Sequence, residues 1–337
     1  MFVDCHLDLA YNRRRGRDIT QPAELQPFVQ NETATVGLPD LRRGGVAMIC
    51  ATIFAMPQTA KEAGYTTPDE AMIAGWEQLQ YYLRLLTAGE IDLVTHPDDV
   101  PTGPLAEGNR AIPTVLLMEG ADPIRSPDEL ALWFDAGLRV IGLAWQRTRY
   151  AGGTGAPGPL TDEARALLPH IDRLGLIHDT SHLAEESFWE LLERTQGPAI
   201  ASHSNCRALV PGDRQLSDHM IRALAGRGGV IGINFFEKFL LPPELYKTRR
   251  ATLDDVARHI DHICQLTGTH RHVGLGTDMD GGLGREHIPH ELHTIADLPK
   301  LGDTLRDRGY GDDAVHDILA GNWLAYFRNH LPRHHRA

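Results

Sequence analysis

The chain has 337 residues, 42% of them hydrophobic, which is ample for a large buried core. Its 33 Lys and Arg against 45 Asp and Glu leave a formal charge of −12, which excludes a nucleic-acid surface, because a polyanion is bound by a clustered positive field. No apolar run reaches the roughly 18 residues of a membrane-spanning helix, so a soluble, cytoplasmic protein with no membrane partner is expected.

In chain order, a first strand carries His6 and Asp8 at its end. With side chains alternating at period two, both point the same way and Cys5 points away. The short basic stretch Arg13-Arg14-Arg15 reads as solvated. A second apolar run ends near residue 54, and 55–68, bearing Pro, Gly and Thr, reads as a loop. Pro-Thr-Val-Leu-Leu-Met-Glu119 is the third strand. Ser126-Pro127-Asp128-Glu129 combines an N-cap, a proline at the first helical position and a capping-box glutamate. A fourth run ends near Trp145, followed by a Gly-rich loop over Arg147–Pro159.

Further runs end near residues 180, 203, 236 and 278, with helix starts at Thr161, Ser217 and Thr252 between them. Residues 297–331 read as two terminal helices closing the wall, and Arg333-His-His-Arg336 as a solvated tail. Eight near-continuous apolar strands alternating with helices require a parallel sheet covered by helices. A doubly wound sheet would gather its ligand at one switch point, whereas here polar residues sit at the ends of many strands, which favours an α/β fold of the (β/α)8 TIM-barrel type. No repeat or linker divides the chain, so one domain over 1–337 is expected.

His6, Asp8, Glu119, His182 and His203 supply the nitrogen and oxygen ligands that two close metal ions need. Each alone could be a hydrogen-bonded structural residue, and histidines such as His259, His262, His330, His334 and His335 read as surface or helix positions. In many barrel hydrolases a carbamylated lysine bridges the ions. Of the four lysines here, Lys61, Lys238, Lys247 and Lys300, none ends the fourth strand, so a bridge must come from Glu119. Cys5, Cys50, Cys206 and Cys264 lack CxxC spacing and read as free thiols without a chemical role.

Asp4-Cys-His6-Leu-Asp8-Leu, Met118-Glu119-Gly120, Asp179-Thr-Ser-His182, Ser202-His203-Ser204-Asn205, Gly276-Thr-Asp278-Met-Asp280-Gly281 and Gly321-Asn322-Trp323 resemble, in order, the motifs of the renal or membrane dipeptidase family, the M19 peptidases of the amidohydrolase-like superfamily. The resemblance covers nearly the whole chain. It implies a dizinc barrel hydrolase with His6 and Asp8 on one ion, His182 and His203 on the other, and Glu119 bridging. Dipeptides are the implied substrates, including those with a D-residue at the carboxyl end, and a homodimer is the implied assembly.

In that frame Asp278 is the catalytic acid/base, taking a proton from the bridging water as it attacks and returning it to the leaving amine. Asp280 is its neighbour in the turn. Arg214 falls where the family places an arginine for the substrate's terminal carboxylate, a task suited to a guanidinium; Arg207 reads as structural. Two positions depart from the family pattern. Trp145 stands where the mammalian enzymes carry a histidine facing the scissile carbonyl, which makes it a substrate-side residue, and Phe235-Phe236 replaces a tyrosine that assists carboxylate binding. A related amidohydrolase of N-acyl amino acids or lactams, or a non-catalytic metal-binding homologue, is the alternative.

Overall fold

A computed structural model describes residues 1–60, 62–105 and 108–333. Lys61 and the tail after Arg333 lie outside the described residues. Eight parallel strands form the centre: β1 (Phe2–Leu7), β2 (Val46–Phe54), β3 (Ile112–Glu119), β4 (Leu138–Gly142), β5 (Ile177–Asp179), β6 (Ala199–Ile200), β7 (Ile231–Ile233) and β8 (Val273–Leu275). They run in the order β7-β8-β1-β2-β3-β4-β5-β6, and a bridge between Ala201 and Ile231 joins the last to the first. This is the expected barrel. The runs expected to end near 145, 203, 236 and 278 leave the ladder at 142, 200, 233 and 275.

Alternation divides the apolar residues into two layers. Val3, Met48, Cys50, Val115, Leu117, Val140, Ile177 and Ile200 fill the barrel, whereas Phe2, Leu7, Ile49, Ala51, Leu116, Met118 and Ile141 pack between strands and helices. The C-terminal segment closes more than the wall. Lys300–Asp307 lies beside Leu253–Thr267, and Tyr310 donates to Asp261 at 2.8 Å. Asn322–His330 instead plugs the floor: Trp323 and Phe327 join the interior cluster, and Asn322 and Tyr326 donate to the carbonyls of Val273 and Ala199, the first residues of β8 and β6.

Between Asp4 and Leu7 the first strand takes three steps where β2 takes two, from Ile49 to Ala51. Such a bulge breaks alternation. Cys5, expected to face away from His6 and Asp8, nonetheless keeps the alternation set by Val3 and packs with it inside the barrel, with its Sγ 3.2 Å from that of Cys50. All four cysteines are free thiols.

Thr161, Ser217 and Thr252 cap their helices through the side chain. Ser126 makes no cap bond, and a single 3-10 turn, Pro127–Glu129, precedes a short helix there. The loop expected over 55–68 gives way to a helix, Pro68–Thr87, started by a Thr67–Glu70 capping box. The loop expected over 147–159 contains most of an antiparallel hairpin, Ala151–Gly153 with Ala156–Leu160. His259 is buried on its helix rather than at the surface, where its Nδ1 accepts from the Cys206 amide.

Candidate metal centre

The six polar residues singled out at the strand ends meet at the carboxyl end of the barrel. Glu119, the last residue of β3, stands at their centre. Its Oε1 lies 3.1 Å from His182 Nε2 and 3.3 Å from His203 Nε2, and its Oε2 lies 3.7 Å from His6 Nε2. His6 Nε2 is in turn 3.9 Å from Asp8 Oδ2. One carboxylate therefore faces two ligand sets, His182 with His203 and His6 with Asp8, and each set forms with Glu119 a group compact enough for one cation. All five side chains are buried or nearly so.

The other nitrogen of each imidazole is engaged. His182 Nδ1 meets Thr154 Oγ1 at 2.9 Å, while His6 and His203 Nδ1 meet the Ser202 hydroxyl at 3.2 and 2.8 Å. Thr52 donates its hydroxyl to Asp8. What remains turned inward is Nε2 of all three rings, and that of His6 is buried with no hydrogen-bond partner. Two Nε2 atoms at 3.0 Å, an orphaned third and converging carboxylates make a donor set that fits divalent cations, and the mixture of imidazole and carboxylate suits zinc.

The charges tell the same story. Burial opposes a proton on His6, but Glu119, Asp8 and Asp278 outweigh it and push its pKa up to about 10. Burial, with Asp8 and Glu119 against the opposing pull of His6, lifts Asp278 to about 8. His182 is pushed down to about 4, by burial first and then by Arg214. Protons on His6 and Asp278 thus balance an excess of buried carboxylate that bound cations would otherwise balance.

Asp278 follows β8 in the left-handed conformation, with φ +60°, and His182 follows β5 with φ +67°. Such backbone is uncommon away from glycine and is held only where the surroundings dictate it. Asn234 donates to Asp278 Oδ2 at 3.0 Å. A Cβ at Gly281 would come within 2.8 Å of Asp8 Oδ2 and collide with Asp278, so glycine is needed for that close approach. Asp280 is turned away: it accepts from the Thr35 and Val36 amides and the Thr35 hydroxyl, and lies 3.0 Å from the buried Arg17. It ties the 15–36 loop to the turn after β8.

A cavity of about 1020 Å³ opens over the centre, lined by Asp8, Glu119, His182 and Asp278, by an aromatic wall of Tyr11, Phe54 and Trp145, and by Phe236 and Phe239. Trp145 packs 5.1 Å from the Phe54 ring and 6.4 Å from His182. Arg214 is buried just behind this lining, under Phe239. Its Nη1 donates to Ser204 Oγ at 3.0 Å and its Nη2 to the His203 carbonyl at 2.6 Å, leaving Nε unpartnered. Arg207 is occupied with Gln215 and Glu185 at the periphery. Arg15 is not the solvated residue its basic neighbours suggested: it lines the cavity and is held by Gln30 and Glu32.

Sequence reasoning assigned no role to Thr52, Thr154, Asp179, Ser202 or Asn234. Asp179 and Ser202 lie inside the motifs that carried the ligands, three residues before His182 and one before His203. Thr154, in the Gly-rich loop, gives no local signal, because only the hairpin brings it to His182.

A family model described as membrane dipeptidase (peptidase family M19) matches residues 1–332. The chain belongs to peptidase family M19. On that membership it is a metallo-dipeptidase. An uncharacterised protein of the pqqA 5′ region of Klebsiella pneumoniae is 32% identical over 78% of this chain and 98% of its own. An uncharacterised dipeptidase of Schizosaccharomyces pombe is 30% identical over 90% of this chain and 73% of its own. Among solved structures, a metallopeptidase of Rhodobacter sphaeroides, liganded with a phosphinate mimic of L-Ala-D-Ala, superposes with a TM-score of 0.83 at 23% identity, covering 98% of this M19 chain and 99% of that one. Among the described residues, no helix of the M19 protein is long and apolar enough to cross a membrane.

Proposed function

We propose that this M19 peptidase is a dizinc dipeptidase in which His6 and Asp8 hold one ion, His182 and His203 hold the other, and Glu119 bridges them. The observation that carries this is the division of the Glu119 carboxylate, one oxygen toward each ligand set. Bound there, the pair of cations supplies Lewis acidity for the scissile carbonyl and acidifies the attacking water.

The chain's own residues do the rest. Asp278, held by Asn234 and free of its proton once cations balance the buried carboxylates, accepts the water's proton and delivers it to the leaving amine. Trp145 and Phe54 wall the cavity and keep bulk water from the substrate. Arg214 answers the substrate's terminal carboxylate through the guanidinium edge that carries its unpartnered Nε, which requires Phe239 to yield. The substrates are dipeptides, including those with a D-residue at the carboxyl end, as in the ligand of the Rhodobacter sphaeroides enzyme. Residues 1–337 act as one barrel domain, and homodimers form.

The test is a panel of dipeptides of both C-terminal configurations beside N-acyl amino acids and lactams, presented to zinc-loaded protein. Hydrolysis of dipeptides alone is expected; preference for the acylated or cyclic amides would move the protein to another amidohydrolase activity.

A further inference from the structure

Beside the two ligand groups that share Glu119, a third compact set is present: His6, Asp179 and His203. It has the composition of a metal site, but its centre is filled. The Ser202 hydroxyl lies 2.5 Å from Asp179 Oδ2, 2.8 Å from His203 Nδ1 and 3.2 Å from His6 Nδ1, all fully buried. These are hydrogen-bond lengths, and a hydroxyl carries one proton and two lone pairs.

The proton goes to the nearer acceptor, Asp179, rather than to Ser181 Oγ at 3.5 Å. Asp179, as a carboxylate, can only accept; it also receives the Ser202 amide at 2.8 Å and the Ser181 amide at 3.0 Å on its other oxygen. The Ser202 O–H therefore donates to Asp179, and its oxygen is left to accept from both imidazoles. That fixes the tautomer of both rings with the proton on Nδ1, and so directs the lone pair of each Nε2 toward Glu119. His6 belongs to one proposed ion and His203 to the other. Glycines at 232 and 276 permit the arrangement: a Cβ at either would overlap the Ser202 carbonyl oxygen, so the neighbouring strands press Ser202 into place.

We propose that Ser202, anchored on Asp179, is a positioning residue shared by the two halves of the metal centre, one hydroxyl orienting a histidine ligand of each ion, and that the His6–Asp179–His203 group is not a third metal position. Ser202 acts in this way only if the dinuclear centre proposed above is correct. His182 stands apart, because its Nδ1 is held by Thr154 on the hairpin.

Two measurements test it. In the zinc-loaded protein, histidine 15N spectra should show His6 and His203 protonated at Nδ1. For Ser202→Ala, competition with a chelator should show zinc held roughly 10–100-fold more weakly at both sites, the usual cost of losing an outer partner, while Ser202→Thr, which keeps the hydroxyl, recovers affinity. An Nε2–H tautomer on either ring, wild-type affinity in Ser202→Ala, loss at one site only, or a third tightly held equivalent in the wild type would overturn the proposal. The spectra need no variant, so a poorly folded Ser202→Ala would leave the proposal testable. Wild-type protein that binds fewer than two equivalents would instead defeat the dinuclear centre itself.

Discussion

The Nε2 atoms of His182 and His203 lie 3.0 Å apart, both against one oxygen of Glu119. If both imidazoles are neutral with their protons on Nδ1, they present lone pairs to each other and to a carboxylate, an arrangement that is repulsive until a cation enters it. In the dinuclear reading proposed above, metal binding and folding are coupled, because bound cations relieve that repulsion.

Thr154 is the hairpin's link to that pair. Thr154→Val keeps the shape but removes the bond to His182 Nδ1, and zinc affinity is expected to fall roughly 10–100-fold at the His182–His203 site alone. Equal loss at both sites on chelator titration would show that the hairpin supports the whole mouth rather than one ligand.

For Asp278, replacement by Asn should leave two equivalents of zinc bound and lower turnover by roughly 10²–10⁴-fold, the range for a positioned acid/base. Metal analysis beside kcat decides it: parallel loss of zinc and turnover would make Asp278 a ligand. Asp280 is no neutral control, since it pairs with the fully buried Arg17. Asp280→Asn should cost about 3–5 kcal/mol of stability, as breaking a buried ion pair does, and is checked by denaturant unfolding.

The pH dependence of the metal-free fold has a definite sign. His6 rises from 6.5 to about 10, so its contribution is complete below pH 6.5 and is lost as pH climbs through 10. Asp278, raised from 3.8 to about 8, loses stability in the same direction over its own interval. His182, lowered from 6.5 to about 4, acts oppositely, losing its contribution as pH falls through that window. Chelator-treated protein should thus drop in Tm between pH 6.5 and 10 while zinc-loaded protein drops less, so the gap between them widens. Calorimetry showing a constant gap would contradict these assignments.

Arg214 is tested by substrate chemistry. If it meets a free carboxylate, C-terminal amidation of a dipeptide should lower kcat/KM by roughly tenfold to over a hundredfold, matching about 1.5–3 kcal/mol for a charge-assisted hydrogen bond. Arg214→Met should erase that discrimination. Equal losses on acid and amide would mean that Arg214 serves the loop it already bonds, through the His203 carbonyl and Ser204.

The barrel was legible because β2 and β3 are long apolar runs ending at Phe54 and Glu119, where they were expected to end. His182, His203 and Asp278 were found through local motifs, although they lie beyond the last ladder residues rather than on the strands. Hidden from the sequence were features made by long-range contact: Thr154 reaching His182 across a hairpin, Ser202 between two rings, and the bulge between Asp4 and Leu7. The 55–68 loop was legible from its Pro, Gly and Thr content, and the helix after it begins at Pro68 behind a Thr67–Glu70 capping box.

Metal stoichiometry in Glu119→Gln tests the bridge most directly. Wild-type protein titrated with zinc and assayed by elemental analysis should bind two equivalents per chain, and Glu119→Gln should weaken both together, because each oxygen of that carboxylate serves a different ligand set. Full occupancy in the variant, or selective loss of a single equivalent, would contradict the bridge.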